Sequence, residues 1–391
     1  MDSVLTEKQV REDIDYTMKK IRERHPAWLE EKNDHVDAVE AKYLEEIANL
    51  SSYDEITVLD EWRIISRIMH EMYDGHTSVF ARSGNFRYIN DFSLLKEYGF
   101  PKSINGENSE DVFQKFLSVY QYETESYAEG IFVNNVIINE TYLTWIGLDV
   151  SNGVDFVFET PEGDEEIHYD FVPLSEVTGF DKNASEKWVY YEIDEENGIG
   201  IFTLTDCSYN SEYRQCVKEF FESVEASGVE DIIVDLRYNG GGSSMVGDEF
   251  IRYLNVDEYN AWNSDVRFGN YLRKNRNVVI HNNKANPQFD GNVYVLTNSE
   301  TFSAAMDFTM YILDNDIGEV VGEASGNKPD SYGDVAYFTT PNSKLTIGVS
   351  VKRWYRIDRS KADELLEPDY PCEPKEALDK AYEVIKDKRN R

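Results

Sequence analysis

The feature that most constrains the fold is an alternation of apolar runs and amphipathic segments between Gly198 and Glu323. The apolar runs "GIGIFTLTDC", "DIIVDL" and "NVYVLTN" each precede a segment with helical spacing, and "GEVVGE" ends the series. Parallel strands need a crossover between them, and a helix is the usual crossover, so this alternation indicates a parallel sheet covered by helices. An α/β domain is therefore predicted, followed by a hairpin, "VAYFTTPNSKLTIGVSV", and a closing helix, "PKEALDKAYEVIKD".

The sequence before this region has a different pattern. Val10, Ile14, Met18 and Ile21 recur at helical spacing, and further helical segments run to about residue 80. The helical segment "SEDVFQKFLSVY" is then followed by β-rich "TYLTWIGLDV" and by "VDFVFETPEGDEEIHYDFV", which has a turn between two strands. Because 391 residues are long for one domain, we predict a helical domain at 1–82, a middle α+β domain at 83–180 and the α/β domain at 181–391.

The charge balance limits the choice of partners. The chain has 39 Lys and Arg against 75 Asp and Glu, a net charge of −36 that repels phosphate backbones and anionic membranes. Nucleic acid is therefore excluded as a partner. No apolar run is long enough to span a bilayer, and the sequence opens without an apolar signal core. We expect a chain that is soluble as written. Its compartment would be extracytoplasmic if an N-terminal signal has been removed and cytoplasmic otherwise, and its oligomeric state is left open.

No metal or cofactor site is predicted. The three cysteines form no CxxC pair. Five histidines lack the H-x-x-H or H-E-x-x-H spacing of metal ligands and are interpreted as surface or packing residues. They are His25, His35, His70, His168 and His281.

The first candidate functional segment is the glycine loop "DLRYNGGGSS", Asp235 to Ser244. It follows an apolar strand and precedes a helix, so its backbone N–H groups would face a ligand at the carboxyl edge of the sheet. The alternative is a plain strand-to-helix turn. A nucleotide loop is disfavoured, because neither G-x-G-x-x-G nor a Gly-Lys-Ser/Thr ending is present.

The second candidate is Ser303, which follows "NVYVLTN" and opens a helix. N–H groups and the helix dipole would favour a developing anion there, as a serine nucleophile requires. A purely structural N-cap serine is the competing interpretation. The glycine loop at an adjacent strand end favours the catalytic interpretation, and the lack of G-x-S-x-G argues against an α/β-hydrolase.

Three segments in this order, "DIIVDLRYNGGG", "VYVLTNSETFSAAMDF" and "EVVGEASGNK", resemble the C-terminal processing peptidases, or tail-specific proteases. "HPAW" and "DGHT" upstream fit their tricorn-like and nisin-resistance-protease-like branch. The resemblance implies a crotonase-like (ClpP/crotonase) catalytic domain. It also implies Ser303 as the nucleophile and an oxyanion hole from Gly240, Gly241 and the N–H of Ala304.

The resemblance leaves two candidates for the base. In the processing-peptidase branch the base is a lysine, and Lys328 in "GEASGNK" has the matching position. In the tricorn-like branch it is a histidine, and His76 stands in "DGHT". A histidine needs little change in pKa to accept a proton near neutral pH, whereas a lysine must be desolvated, and "NKPDSYGD" has the polar character of an exposed loop. His76 is therefore favoured, and Lys328 is kept as the alternative.

The resemblance also implies an acidic residue that orients the histidine. The tricorn-like pattern has a glutamate near the C-terminus, but "DRSKADELLEPDYP" retains only its Pro-Asp. Glu364 is the candidate we retain, with Asp363 and Asp358 as alternatives and a Ser-His dyad without an acid as a further one.

A further segment, "GFPKSINGENSEDVF", is similar to a stretch of the PDZ-like modules that these proteases carry. Such a module would bind a peptide as an added strand. The alternative is an Asn-Gly turn followed by a helix that a serine caps.

The predicted function is that of a serine-type peptidase that hydrolyses peptides or unfolded protein ends without a cofactor. A Ser303–Lys328 dyad is one alternative. The other is a catalytically silent relative that binds peptides or hydrophobic ligands. A coenzyme A-dependent crotonase-type enzyme is disfavoured by the negative charge of the chain.

Overall fold

The computed structural model describes residues 1–81, 84, 86–93, 95, 99–180, 187–362 and 364–390. The chain divides into two compact units. The first unit comprises Met1–Lys182, Arg267–Leu272 and Tyr332–Lys352, and the second comprises Asn183–Val266, Arg273–Ser331 and Arg353–Arg391. The predicted domains 1–82 and 83–180 both fall in the first unit, and the three-domain division stays a prediction.

A six-stranded sheet forms the centre of the second unit. Its strands, in spatial order, are Val189–Asp194, Ile199–Leu204, Asp231–Asp235, Asn292–Thr297, Glu319–Gly322 and Tyr370–Pro371. The first pair is antiparallel, and the other neighbours are parallel. The helices of this unit are Ser211–Ser227, Met245–Ile251, Ala304–Asp314 and Ala377–Arg389.

The two faces of this sheet carry separate apolar cores. Ile232 and Val234 pack with the helices Ser211–Ser227, Met245–Ile251 and Ala304–Asp314 on one face. Ile233, between them in sequence, faces the other side and packs with the helix Ala377–Arg389. Side chains alternate between the two faces of a strand, so a run that is buried on both faces reads as continuously apolar. The predicted α/β fold with a parallel sheet is confirmed.

The sheet topology brings the two candidate catalytic segments to one edge. Strands Asp231–Asp235 and Asn292–Thr297 are parallel neighbours, with Asp235 opposite Leu296. The glycine loop follows the first strand, and the turn to Ser303 follows the second. The carboxyl ends of parallel neighbours lie at the same edge, where α/β sheets place their sites.

The first unit begins with the predicted helices. Its helices are Glu7–Arg24, Asp34–Asn49, Val58–His70, Ser109–Leu117, Glu125–Ile131 and Glu140–Trp145. Capping boxes start two of them: Thr6 with Gln9, and Thr57 with Asp60. A four-stranded sheet has the spatial order Glu107–Asn108, Ser103–Ile104, Val154–Thr160 and Gly163–Tyr169.

Two local predictions in the first unit need correction. "TYLTWIGLDV", interpreted as β-rich, contains the helix Glu140–Trp145, because the Asn139 side chain accepts hydrogen bonds from the N–H groups of Thr141 and Tyr142. This cap outweighs the β propensity of the aromatic and branched residues. The Asn-Gly turn at Asn105 is present, with φ of 50°, but the cap of the following helix is Asn108 rather than a serine.

The remaining strands lie outside these two sheets. They are Val4–Leu5, Ile56–Thr57, Ser78–Phe80, Arg87–Ile89, Phe171–Pro173, Glu258–Asn260, Asn263–Phe268, Tyr271–Asn275, Val279–His281, Tyr332–Thr339 and Thr346–Tyr355. Ser78–Phe80 pairs with the start of Thr346–Tyr355, with Val79 opposite Ile347. Among the described helices, none has both the length and the apolar character that crossing a bilayer requires.

Candidate active site

The glycine loop of the second unit is held by Asn239. The Asn239 side chain is buried, and its Nδ2 donates to the carbonyl oxygen of Leu204 at 2.8 Å. Its Oδ1 accepts from the N–H of Gly241 at 2.9 Å. One buried amide therefore fixes the loop to the neighbouring strand, and satisfying both polar ends of the amide makes its burial favourable.

Gly241 packs directly against Ser303. The φ angle of Gly241 is 96°, and a Cβ atom at this position would lie 2.6 Å from the Cβ of Ser303 and 2.9 Å from the nitrogen of Ala304. Only glycine tolerates both the backbone angle and this approach. The predicted neighbourhood of the glycine loop and Ser303 is thus present in the structure.

Ser303 has a strained backbone. Its φ of 53° and ψ of −124° are rare for a residue with a side chain, and its hydroxyl does not cap the helix Ala304–Asp314. The Ser303 N–H donates to the Oδ1 of Asn327 at 2.8 Å. Ser303 is partly exposed, whereas Phe302 and Ala304 are buried. The N-cap interpretation therefore does not explain this serine, because the hydroxyl is presented outside the helix end.

Hydrogen bonds fix the turn before Ser303 to the glycine loop. The hydroxyl of Thr301 donates to the carbonyl oxygen of Leu236 at 2.9 Å and accepts from the N–H of Asn298 at 3.0 Å. The N–H of Phe302 donates to the carbonyl oxygen of Asn239 at 3.0 Å. The strained backbone of Ser303 is thus held by the bonds of the two residues before it and by the bond from its own N–H to Asn327.

The predicted oxyanion donors differ in what they bind. The N–H of Gly241 is engaged by Asn239. Within the part of the chain that the structure describes, neither the N–H of Gly240 nor that of Ala304 donates to a protein acceptor. The N–H of Ala304 is at the first position of its helix, where N–H groups have no intrahelical partner and the helix dipole favours negative charge. Gly240 and Ala304 are therefore the available donors, and Gly241 contributes space instead.

Lys328 and its neighbour Asn327 have opposite environments. Lys328 is exposed, so it lacks the desolvation that a lysine base needs. Asn327 is buried and holds the backbone of Ser303, and its Nδ2 donates to the carbonyl oxygen of Lys328 at 3.2 Å. The segment "GEASGNK" does contact Ser303, but through the asparagine, a role for which sequence spacing gave no signal.

The acids proposed near the C-terminus lie in a loop of the second unit. Glu364 is exposed, and its carbonyl oxygen accepts from the Arg356 guanidinium at 3.4 Å. Asp358 caps the turn Arg359–Lys361, and hydrogen bonds from the side chain and backbone of Ser360 lower its pKa. Asp363 lies outside the described residues. Neither Glu364 nor Asp358 shows the burial expected of an acid that orients a catalytic histidine.

His76 lies in the first unit beside two buried carboxylates. Its Nδ1 is 3.8 Å from Oδ1 of Asp74 and 3.7 Å from Oε1 of Glu123, and its side chain is 13% exposed. Its backbone N–H donates to Oδ1 of Asp74 at 2.9 Å. The first unit therefore supplies its own acids for His76, which the sequence prediction had sought in Glu364.

These groups shift one another's pKa. Burial lowers the pKa of His76, but hydrogen bonding to Glu123 and the charges of Asp74 and Glu123 outweigh it, so that the pKa is raised above 6.5. Burial opposes ionisation of Asp74, yet the hydrogen bond from His25, with the charge of His76, lowers its pKa. Burial, with the charge of Asp74, raises the pKa of Glu123. Asp74 is thus the permanent anion beside His76.

Asp74 is held by His25 and Ser350. The Nδ1 of buried His25 accepts from the N–H of Ala27 at 3.2 Å, so its Nε2 carries the proton and donates to Oδ2 of Asp74 at 3.1 Å. The hydroxyl of Ser350 donates to the same oxygen at 2.7 Å. His25, which the sequence prediction treated as a surface or packing residue, therefore orients the acid.

The same cluster is the place where a metal would be considered. Ligand atoms of Asp74, His76 and Glu123 all lie within 4.8 Å of one another. However, both oxygens of Asp74 already accept hydrogen bonds, from His25, Ser350 and the His76 backbone. Because Oδ2 already accepts two hydrogen bonds, a metal at that oxygen would have to displace a donor, and the arrangement fits an oriented histidine better than a metal site.

A cavity of about 510 Å³ in the first unit adjoins His76. His76 and Gly75 belong to its lining, together with aromatic residues that include Trp62, Phe116 and Trp145. The candidate base therefore lies at the wall of a space large enough for part of a ligand.

Comparisons with known proteins agree with this picture. The family model Peptidase family S41 matches residues 198–372, which include Gly240, Ser303 and Ala304. A search of curated proteins gave no significant match.

Solved structures share the fold at low sequence identity. Mature CPAF aligns with a TM-score of 0.70 and 11% identity, covering 97% of this chain and 96% of that chain. The photosystem II D1 C-terminal processing protease aligns with a TM-score of 0.51 and 13% identity, covering 95% of this chain and 94% of that chain. The resemblance to this group of peptidases is confirmed by the match of residues 198–372 to Peptidase family S41, a family of serine-type peptidases.

Proposed function

We propose that this chain is an endopeptidase of the tail-specific type, which cleaves peptides or unfolded protein ends with Ser303 as nucleophile and His76 as general base. The observation that carries the proposal is Ser303 itself, on a strained strand-to-helix turn with its hydroxyl outside the helix cap. The likeness in fold to a C-terminal processing protease supports the substrate class.

In the proposed reaction the hydroxyl oxygen of Ser303 attacks a peptide carbonyl carbon while Nε2 of His76 takes its proton. The N–H groups of Gly240 and Ala304 stabilise the tetrahedral oxyanion, and His76 then protonates the leaving amine. Water then attacks the acyl-enzyme. His76 takes a proton from the water and returns it to the oxygen of Ser303 as the acyl bond breaks. Asp74 holds the backbone of His76 and its charge stabilises the imidazolium, and Lys328 takes no part.

The test combines labelling with cleavage. A fluorophosphonate probe should label the wild type at Ser303 and leave Ser303→Ala unlabelled. On an unstructured peptide, Ser303→Ala and His76→Ala should each lose kcat by roughly 10³-fold or more, as removal of a triad member does. Lys328→Ala is the matched control and should stay within about threefold, because an exposed lysine lacks the desolvation that a lysine base needs.

Two results would overturn parts of this proposal. If Lys328→Ala is inactive and His76→Ala is active, the base is the lysine. If the folded wild type neither reacts with the probe nor cleaves any peptide, the chain is a binding protein. Comparing a peptide with its C-terminal amide tests the tail-specific element, since an enzyme that acts on protein ends should prefer the free carboxylate.

A further inference from the structure

We infer that the cavity of the first unit is a binding pocket for an uncharged, apolar segment of the peptide substrate, with a large aromatic or aliphatic side chain. The inference rests on the proposed function, because the occupant is assigned to the substrate through His76, the proposed base in the cavity wall. An occupant of this cavity can therefore reach the vicinity of His76.

The chemistry of the wall excludes a charged occupant. The residues that line the cavity are all described, and His76 is the only one among them of the types Asp, Glu, Lys, Arg and His. The polar lining consists of neutral groups, such as those of Ser78, Gln121 and Asn139. A cationic side chain would lose its hydration there without gaining a counter-charge from the lining, and an anionic one would be repelled by Asp74 and Glu123, the two carboxylates beside His76.

Buried, fixed aromatic rings support the wall from behind. The rings of Trp62 and Trp145 stack with centroids 4.5 Å apart, and Phe116 meets Trp145 edge-on at 6.3 Å. The indole N–H of Trp62 donates to the carbonyl oxygen of Val79 at 3.1 Å, which fixes its orientation. Because these rings are already ordered, an apolar side chain binds without the entropy loss of arranging its pocket.

Two aromatic residues of the lining are exposed. Phe80 is 44% and Tyr337 is 65% exposed, and their rings lie 6.2 Å apart. Gly348 permits this arrangement, because a Cβ there would lie 2.9 Å from Val335 and 3.4 Å from each of the two rings. The cavity is thus open to solvent beside apolar surface that a bound peptide would cover.

The size of the cavity also fits a peptide segment. Small-molecule pockets enclose roughly 300–1,000 Å³, and about 510 Å³ lies within that range. The space accommodates one large side chain together with part of its neighbours, so it selects residues near the scissile bond.

The test measures binding apart from catalysis. The probes are acetyl-Gly-Ala-X-Ala-Gly-amide peptides with X as Trp, Leu, Asp or Lys, titrated calorimetrically into the full-length Ser303→Ala protein. The Trp and Leu peptides should bind at least about tenfold more tightly than the Asp and Lys peptides. Adding Tyr337→Ser should weaken binding of the Trp peptide about three- to tenfold, while Tyr271→Ser, at an equally exposed tyrosine (63%) outside the cavity, should not.

Equal affinity for the four peptides, or no effect of Tyr337→Ser, would overturn the pocket assignment. Cleavage by the unmodified protein separates this failure from that of the proposed function. If peptides are cleaved through Ser303 without preference for X, the peptidase stands and the pocket falls. If the apolar preference in binding is found but nothing is cleaved, the pocket stands and the peptidase falls.

Discussion

The segments around Ser303 and around His76 reach a functional arrangement by opposite means. Ser303 is surrounded by uncharged groups: Gly241, backbone N–H groups, and the side-chain amides of Asn239 and Asn327. His76 is surrounded by buried titratable side chains, chiefly Asp74 and Glu123. The first segment should therefore be sensitive to added volume and the second to removed charge.

The largest effect should come from added volume at Gly241. Gly241→Ala places a methyl group 2.6 Å from the Cβ of Ser303 at a φ of 96°. We expect kcat to fall by roughly 10²- to 10³-fold, because the nucleophile and its oxyanion donors are displaced together. Peptide cleavage by the purified variant measures this, with thermal unfolding to show that it is folded.

Gly240→Ala is the matched control. A Cβ at Gly240 has no neighbour within 4 Å, and the substitution keeps the N–H that would bind the oxyanion. Its activity should stay within about threefold of wild type. Comparable activity in the two variants would show that the glycine loop does not shape the site, and the volume-sensitive half of the comparison would fail.

The same contrast explains what the sequence could predict. The strands and helices of the second unit follow from periodicity, since Ile232, Ile233 and Val234 are buried on both faces of the sheet. Ser303 and the glycine loop were found because they follow adjacent strands. Asn239 and Asn327 were missed, because a single hydrogen bond to a distant backbone atom leaves no pattern of spacing.

Around His76 the missed residues differ in how much signal they had. Asp74 stands two residues before His76, the spacing at which an Asp side chain accepts from the backbone N–H, and it could have been found. Glu123 and His25 are distant in sequence and meet His76 or Asp74 only in the folded chain. The helix Glu140–Trp145 was mispredicted because its cap, Asn139, outweighs the β propensity of the residues that follow.

Removing the charge of Asp74 should have the next largest effect. Asp74 accepts on both oxygens, from the His76 N–H on one side and from His25 and Ser350 on the other. The amide in Asp74→Asn has only one acceptor oxygen, so its NH2 group would face one of the donors that the carboxylate now accepts from: the His76 N–H on one side, or His25 and Ser350 on the other. We expect kcat to fall roughly 10- to 100-fold and the free energy of unfolding to fall by about 1–3 kcal/mol.

Urea unfolding at two pH values checks the electrostatic origin of that loss. The pKa of Asp74 is lowered in the folded protein, so its stabilisation is complete above the ordinary aspartate value of 3.8 and disappears as the pH falls through the folded value. The difference between wild type and Asp74→Asn should therefore be full at neutral pH and smaller below pH 3.8. A difference independent of pH would assign Asp74 a role in packing alone.

The smallest predicted effect isolates the charge of Glu123. A base must be deprotonated, and the pKa of His76 is raised above 6.5 chiefly by its hydrogen bond with Glu123 and by the charges of Asp74 and Glu123, against the opposing effect of burial. Activity should therefore fall as the pH drops through a value above 6.5. Glu123→Gln removes one of the charges that stabilise the imidazolium, so the acid limb of the kcat/KM profile should move to lower pH by about one unit. The rate on the alkaline plateau should change little, because Asp74 still holds the backbone of His76.

A matched Glu125→Gln variant, two residues along the chain, should leave the acid limb of the profile in place. An unmoved limb in Glu123→Gln would show that the charge of Glu123 does not set the protonation of the base, and that Asp74 alone supplies the electrostatic half of the site.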